Sequence, residues 1–228
     1  MLAPHLYVDS AAVDAVGSLL EGGLVEGVTT NPTILQRSGR RLGDIPGLYE
    51  QWVSQGAREV FFQTWGMDAA ELLANAEPII ALGDRVVVKV PATRAGFVAT
   101  RALTDRGVPV LVTAVYSAGQ ALAAASYGAR YIAPYFGRLG DAGHDAVATI
   151  GSMHRMLEGS RTEVLRTTAM TTLKADGIGP EIPRGLPTPS RLMAPCGACA
   201  PGAKQSRVPV QAAAARGGWK RCLPVSSP

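Results

Sequence analysis

The first 165 residues alternate between short apolar runs and longer segments whose apolar residues recur every three or four positions. Short apolar runs bounded by glycine, proline or polar residues are typical of buried strands, and the longer periodic segments are typical of amphipathic helices. Seven strands are predicted, around residues 5–9, 27–31, 59–65, 85–91, 108–115, 130–136 and 162–165. Helical patterns lie between them, which predicts a parallel sheet with right-handed crossovers.

Polar residues stand at or near the carboxyl ends of six of these strands. They are Asp9, Asn31, Gln63, Lys89, Thr113 and Tyr135. In a closed barrel all these ends converge on one site, whereas in an open sheet only the strands beside the switch point would meet. No Gly-x-Gly-x-x-Gly follows the first strand, which weighs against a dinucleotide fold. We therefore expect an α/β protein with a (β/α)8 TIM barrel rather than an open, doubly wound sheet.

The alternating pattern ends after Leu165. Residues 166–228 hold 9 of the 16 prolines and all three cysteines, but no phenylalanine or tyrosine. They carry 9 Lys+Arg against 2 Asp+Glu, whereas residues 1–165 carry 13 against 16. We predict a barrel body over 1–165 and a basic Pro/Gly/Ala-rich tail over 166–228 that is disordered or out of frame. The last strand and helices of the barrel would then be missing or replaced, and the first and seventh strands would have unpaired edges.

Composition narrows the possible functions further. No stretch approaches the roughly 18 apolar residues of a membrane span, and no signal peptide is recognisable, so we expect a cytoplasmic protein without membrane contact. The mildly acidic body gives no electrostatic case for nucleic acid. Cys196, Cys199 and Cys222 lack a fourth metal ligand because no histidine follows His154, so no metal site is predicted.

Lys89 is the foremost candidate for chemistry. It lies near the end of a valine-rich strand and is the only lysine in the first 173 residues. If it points inward, burial disfavours its charged form, and the neutral amine is the form that attacks carbonyl groups. The alternative is a lysine that extends from the strand end into water.

Four segments of the body resemble the small transaldolase family, and most closely its fructose-6-phosphate aldolase members. The segments are 27–33, 88–91, 113–116 and 133–138, and the resemblance runs from about Leu6 to Leu165. It implies a class I aldolase or transaldolase on a (β/α)8 barrel, with a Schiff-base lysine at Lys89, a sugar-phosphate substrate and neither metal nor cofactor. It also implies ring-shaped homo-oligomers held by C-terminal helices, and residues 166–228 show no pattern for such helices.

The reaction gives roles to several of the polar strand ends. Lys89 would add to a ketose carbonyl, and a carboxylate, phenol or held water would transfer the protons of dehydration. The resemblance places Asp9 beside the lysine and substrate hydroxyls; the alternative is a helix cap, and Asp9 could serve both roles. It also implies that transaldolases have glutamate and phenylalanine where this chain has Gln63 and Tyr135. Tyr135 would then be the acid/base group of an aldolase, with Gln63 and Thr113 orienting a water.

Three further residues are candidates for substrate binding. Asn31 precedes a proline, so its backbone is extended and its side chain is free for a substrate hydroxyl. The resemblance puts the substrate phosphate at Arg138, whose guanidinium suits phosphate, while the alternative is a surface arginine. It places a second phosphate contact after the seventh strand, where Thr168 stands in for a serine and no basic residue follows closely.

The sequence thus predicts a class I aldolase that cleaves fructose 6-phosphate or a similar ketose into dihydroxyacetone and glyceraldehyde 3-phosphate. One alternative is a transaldolase that transfers a dihydroxyacetone unit between sugar phosphates. Another is an inactive barrel remnant whose basic tail binds polyanions.

Overall fold

The computed structural model describes residues 5–165 and the backbone of residues 167–169. Strands and helices alternate throughout this part of the chain. The strands are β1 (Tyr7–Asp9), β2 (Gly27–Thr29), β3 (Glu59–Gln63), β4 (Val86–Pro91), β5 (Val110–Val115), β6 (Tyr131–Pro134), β7 (Glu163–Val164) and β8 (Thr167–Ala169). The helices are α1 (Val13–Glu21), α2 (Pro32–Arg37), α3 (Ile45–Ser54), α4 (Ala69–Ile80), α5 (Arg94–Asp105), α6 (Ala118–Ser126), α7 (Phe136–Asp141) and α8 (Ala146–Met156), with a 3-10 turn at Leu42–Asp44.

Short polar side chains begin several of the helices. Asp68 accepts a hydrogen bond from the backbone N–H of Glu71 at the start of α4, and Thr93 accepts one from Gly96 at the start of α5. These bonds satisfy backbone donors that the first helical turn leaves unpaired. The caps fix the starts of α4 and α5 a few residues after the ends of β3 and β4.

All strand pairings are parallel, and the sheet has the order β7-β6-β5-β4-β3-β2-β1-β8. Side chains alternate between its two faces. One face packs on the helices through residues such as Val8, Val60, Val88 and Val112. The other face forms a separate interior cluster of Tyr7, Phe61, Val87, Leu111, Tyr131 and Leu165. The sheet is thus curved around an interior of its own, as in a TIM barrel.

Glu59 joins three strands at the amino-terminal end of this interior. The hydroxyls of Tyr7 and Tyr131 donate to its Oε2 over 2.7 and 2.9 Å, and Arg130 lies 2.8 Å from its Oε1. Tyr7 starts β1 and Tyr131 starts β6, so the contact spans the barrel. Burial raises the pKa of Tyr131 to about 12, and burial and Glu59 raise that of Tyr7, so both phenols stay protonated as donors.

The segment after α8 adds a strand at each end of the sheet. β7 pairs with β6, while β8 pairs with β1 in the register Tyr7↔Thr167 and Asp9↔Ala169. Only two residues of the chain, Leu165 and Arg166, separate β7 from β8. The expectation of an unpaired edge is therefore wrong for the first strand, because β8 pairs with β1. For the seventh strand it agrees with the structure, since within the described residues β7 pairs with β6 alone.

The predicted fold, a TIM barrel lacking part of its last repeats, is confirmed. Within the described residues no helix follows β7, and β7 and β8 are short strands with no helix between them. The predicted tail lies outside the described residues, apart from the backbone of β8. No helix among residues 5–165 is both long and apolar enough to cross a membrane.

We predict that Glu59→Gln lowers the free energy of unfolding by about 1.5–3 kcal/mol, because it removes the charge from an acceptor shared by Tyr7, Tyr131 and Arg130. Urea denaturation measures the loss. Glu158→Gln, at an exposed position, is the control and should change stability by less than about 0.5 kcal/mol. Equal stability of the two variants would contradict a structural role for Glu59.

Candidate active site

Lys89 lies inside the barrel near its carboxyl-terminal end. It shares the interior face of β4 with Val87, and its register neighbours are Gln63 on β3 and Leu111 on β5. The residue is 5% exposed, so its side chain does not extend into water. Burial lowers the pKa of the Lys89 ammonium, since the charged form loses its hydration. The structure therefore favours the inward-facing arrangement of this lysine.

Two side chains from neighbouring strands meet the amine of Lys89. Its Nζ donates to Thr29 Oγ1 over 2.6 Å and lies 3.9 Å from Asp9 Oδ1. The longer distance is within ion-pair range but exceeds that of a hydrogen bond. Burial raises the pKa of the Asp9 carboxyl, while the charge of Lys89 opposes that rise. Burial thus disfavours the charged form of both groups, and their mutual attraction works against it.

The carboxylate of Asp9 keeps unused capacity for hydrogen bonding. Among the described residues no hydrogen bond is made to its buried Oδ1, although the nearby Thr29 hydroxyl lowers the pKa of the carboxyl. The side chain as a whole is one-third exposed, at 33%. The predicted alternative, a helix cap, is not what Asp9 does, because α1 begins at Val13 after Ala12. A half-open carboxylate next to a buried amine can instead exchange protons with a molecule bound between them.

Thr29 is a site residue that the motifs had not singled out. It is buried at 1% exposure, lies opposite Asp9 in the register of β1 and β2, and supplies the hydroxyl that accepts from Lys89. The sequence could have indicated Thr29, because it stands two positions before Asn31 and residues at that spacing share one face of a strand. The pairing with Lys89, 60 residues later, required the folded sheet.

Gln63 and Thr113 flank Lys89 on the adjoining strands. Gln63 ends β3 directly opposite Lys89, and it is half-buried. Thr113 on β5 lies opposite Pro91 and is 2% exposed. Both side chains share the interior face of their strands with members of the interior cluster, Phe61 and Leu111. The sheet thus places these two predicted residues beside the lysine on the interior face.

Tyr135 and Arg138 form a second group just beyond β6. Tyr135 precedes α7, and the Arg138 guanidinium lies 5.8 Å from the centre of its ring. Arg138 is exposed, and the Tyr135 ring is half-buried. The sequence predicted a strand as far as residue 136, but β6 ends at Pro134 and the unpredicted helix α7 carries Arg138.

Two other predicted substrate contacts, Asn31 and Thr168, are not seen with side chains free to bind a ligand. Asn31 is the N-cap of α2, where its Oδ1 accepts from the N–H of Ile34 over 3.0 Å. The prediction of a free Asn31 side chain is therefore wrong for the oxygen, and only the amide nitrogen is left for a ligand. Thr168 lies in β8 opposite Val8, and its side chain is outside the described residues.

Openings exist at both ends of the barrel. An open groove of about 600 Å³ lies at the carboxyl-terminal end, beside the strand of Lys89. It is lined by Gly66, Met67, Pro91, Thr93, Arg94, Ala95 and Val98. A more polar cleft of about 370 Å³ lies at the opposite end, around Glu59 and Arg130. Chemistry in TIM barrels belongs to the carboxyl-terminal face, and the groove lies at that face without being lined by Lys89 or its contacts.

No group of three or more metal-ligating side chains is positioned to hold a metal ion within residues 5–165. Cys196, Cys199 and Cys222 lie outside the described residues. The chemistry of the described site is therefore argued from its amine, carboxylate, hydroxyls and phenol.

Known structures are similar to this chain in fold. One is a protein from Coccidioides immitis described as belonging to the dihydrodipicolinate synthase family. It matches with a TM-score of 0.56 at 9% identity, over 74% of this chain and 67% of that chain. Mandelate oxidase with (S)-2-phenylpropionate matches with a TM-score of 0.50 at 16% identity, over 72% and 57%. At such identities the likeness concerns the barrel alone.

Sequence comparisons are more specific. The protein named "Probable transaldolase" from Ruegeria sp. (strain TM1040) is 36% identical over 167 residues, covering 72% of this chain and 76% of the relative. Its namesake from Maridesulfovibrio salexigens is 38% identical over 154 residues, covering 68% and 71%. The family model described as Transaldolase/Fructose-6-phosphate aldolase matches residues 6–176, which include every strand of the barrel. The chain therefore belongs to the transaldolase/fructose-6-phosphate aldolase family, whose activity is of the aldolase–transaldolase type.

Proposed function

We propose that this protein is a class I aldolase that reversibly cleaves fructose 6-phosphate, or a similar ketose, to dihydroxyacetone and glyceraldehyde 3-phosphate. The observation that carries the proposal is the buried amine of Lys89, bonded to Thr29 and 3.9 Å from Asp9. Burial favours its neutral form, which is the nucleophile needed for a Schiff base.

The reaction begins with addition of Lys89 Nζ to the C2 carbonyl. The carbinolamine loses its hydroxyl as water, with Asp9 placed to supply and later recover the proton. The protonated imine then accepts the electron pair released when the C3–C4 bond breaks, which gives an enamine on the lysine. The aldehyde leaves, a proton adds to C3, and water hydrolyses the imine to free dihydroxyacetone and Lys89.

The phenol of Tyr135 is the proposed acid/base group for carbon–carbon cleavage. It takes the proton of the C4 hydroxyl during cleavage and returns one to the carbonyl oxygen during synthesis. Gln63 and Thr113 orient a water between the lysine and the phenol, since a glutamine can orient water without acting as its base. This division of roles favours net cleavage over transfer.

Arg138 is the proposed contact for the phosphate of the substrate. It is exposed on α7 beside Tyr135, so a phosphate held there would place the sugar across the phenol. A guanidinium fork binds phosphate through two parallel hydrogen bonds. Asn31, through its amide nitrogen, and Thr168 are proposed contacts for the remaining substrate oxygens.

A transaldolase is the second candidate, and the names of the relatives favour it. It would share the same enamine on Lys89 and pass the three-carbon unit to an aldose such as erythrose 4-phosphate. Gln63 and Tyr135 favour the aldolase, because the family resemblance implies glutamate and phenylalanine at these positions in typical transaldolases. An inactive barrel with a polyanion-binding tail is the third possibility. Trapping of dihydroxyacetone at Lys89 would exclude it, and the absence of trapping would support it.

Sodium cyanoborohydride with dihydroxyacetone should attach a three-carbon adduct to the peptide that contains Lys89, because reduction traps the imine. Mass spectrometry of the digested protein locates the adduct. Lys89→Arg should abolish trapping, since a guanidinium forms no Schiff base, while Lys174→Arg should retain it. Trapping that survives Lys89→Arg, or its absence from the wild-type chain, would refute the proposed function.

The pH dependence of trapping should report the shifted pKa of Lys89. Because burial lowers that pKa, the trapping rate should rise with pH and level off below the usual range of an exposed lysine. Asp9 opposes the shift, so Asp9→Asn should move the midpoint to still lower pH. Asp14→Asn, at an exposed position on α1, should leave it unchanged. A midpoint that rises in Asp9→Asn would contradict the proposed electrostatics.

Cleavage and transfer can be separated by a coupled assay with and without erythrose 4-phosphate. We expect net cleavage of fructose 6-phosphate to be the faster reaction.

Tyr135→Phe should lower cleavage by about 10²–10⁴-fold and leave trapping at Lys89 intact, because the phenol acts as acid/base only after the imine forms. Gln63→Glu should raise the ratio of transfer to cleavage. Faster transfer than cleavage in the wild-type chain would identify a transaldolase instead.

A further inference from the structure

The carboxyl-terminal end of β5 contains a local irregularity. Ala114 has a φ of +58°, the one positive φ of a non-glycine residue among the described residues. The register of β5 and β6 shifts there, so that Thr113 pairs with Ala133 and Val115 pairs with Pro134. This is a bulge, which leaves one residue unpaired and changes the direction of the strand. A left-handed alanine is strained, and such strain persists where surrounding contacts impose it.

The two residues that follow Ala114 both contact Tyr135. Val115 accepts the backbone N–H of Tyr135 over 3.3 Å, and the next residue, Tyr116, packs its ring against the Tyr135 ring. The ring centres are 5.8 Å apart and the planes meet at 80°, which is the edge-on geometry that aromatic pairs favour. Tyr116 is 39% exposed, so this contact gives the half-buried Tyr135 a neighbour at the rim of the barrel.

The side chain of Gln120 binds the backbone of Tyr116. Its Oε1 accepts the backbone N–H of Tyr116 over 2.8 Å, and its Nε2 donates to the carbonyl of Ala92 over 3.1 Å. Ala92 follows β4, the strand of Lys89, and its own N–H donates to Thr113 over 2.9 Å. One amide side chain therefore ties the end of the lysine strand to the residue that packs on Tyr135.

We propose that Tyr116, held by Gln120, is a positioning residue that keeps the phenol of Tyr135 oriented toward the substrate on Lys89. The proposal rests on the acid/base role given to Tyr135 under the proposed function. Tyr116 acts through its ring, because the contact recorded is between rings, and its backbone N–H is the atom that Gln120 fixes. Without the ring, Tyr135 would keep its backbone bond to Val115 but lose this constraint on its side chain.

The test compares Tyr116→Leu with Tyr116→Phe in the full chain. Two rates are measured, trapping of dihydroxyacetone at Lys89 and net cleavage of fructose 6-phosphate. Tyr116→Leu should lower kcat for cleavage by about 10-fold and leave trapping unchanged, because misplacing an acid/base group slows only its own step. Tyr116→Phe keeps the ring and should match the wild-type protein in both rates.

The Tyr135→Phe background separates positioning from a general structural effect. If Tyr116 acts through the phenol of Tyr135, adding Tyr116→Leu to Tyr135→Phe should slow cleavage no further. Gln120→Leu should resemble Tyr116→Leu, whereas Gln120→Glu keeps an acceptor for the Tyr116 N–H and should retain more activity. Thermal melting checks that each variant is folded.

Several results would overturn the inference. One is a Tyr116→Leu variant that cleaves at the wild-type rate, and another is the same fold-loss with and without the Tyr135 hydroxyl. Loss of trapping together with cleavage in folded Tyr116→Leu would also refute it, since the effect would then include Lys89. A wild-type chain that traps dihydroxyacetone but does not cleave refutes the role of Tyr135 and this inference together. Absence of trapping refutes the proposed function itself.

Discussion

The site depends on the burial of one amine inside a sheet. Val87 and Lys89 alternate with valines that face the helices, so strand periodicity places Lys89 in the interior, where it is almost fully buried. The cost of burying its charge is what favours the neutral amine. Asp9, 3.9 Å away, opposes part of the resulting fall in the pKa of Lys89.

The two ends of the barrel interior use polar groups in opposite ways. At the amino-terminal end, Glu59 accepts from Tyr7 and Tyr131 and pairs with Arg130, so both of its carboxylate oxygens have partners. At the carboxyl-terminal end, Lys89 makes a single hydrogen bond, and Asp9 Oδ1 has no donor among the described residues. A satisfied polar network stabilises one structure, whereas an unsatisfied one retains capacity for a ligand. The contrast explains why the first is structural and the second is the candidate site.

The rim of the site depends on how the strands end. β4 and β5 end side by side and are joined by Gln120, while the bulge at Ala114 brings the chain toward Tyr135. On the other flank, β1 supplies Asp9 and depends on β8 for its second neighbour in the sheet. The position of Asp9 relative to Lys89 therefore depends on the segment that follows Leu165, where the alternating pattern in the sequence is lost.

The sequence by itself determined the features that depend on near neighbours in the chain. Strand and helix periodicity predicted the parallel barrel, and the valine run predicted a buried strand around Lys89. The tertiary structure alone decided the contacts between distant residues. Thr29 meets Lys89 across 60 positions, Glu59 meets Tyr131 across 72, and β8 pairs with β1 at the opposite end of the body. Periodicity tells which face a side chain occupies, but it does not tell which strand will lie beside it. That choice is made when the sheet curves and buries its interior, so partners, register and closure belong to the folded barrel.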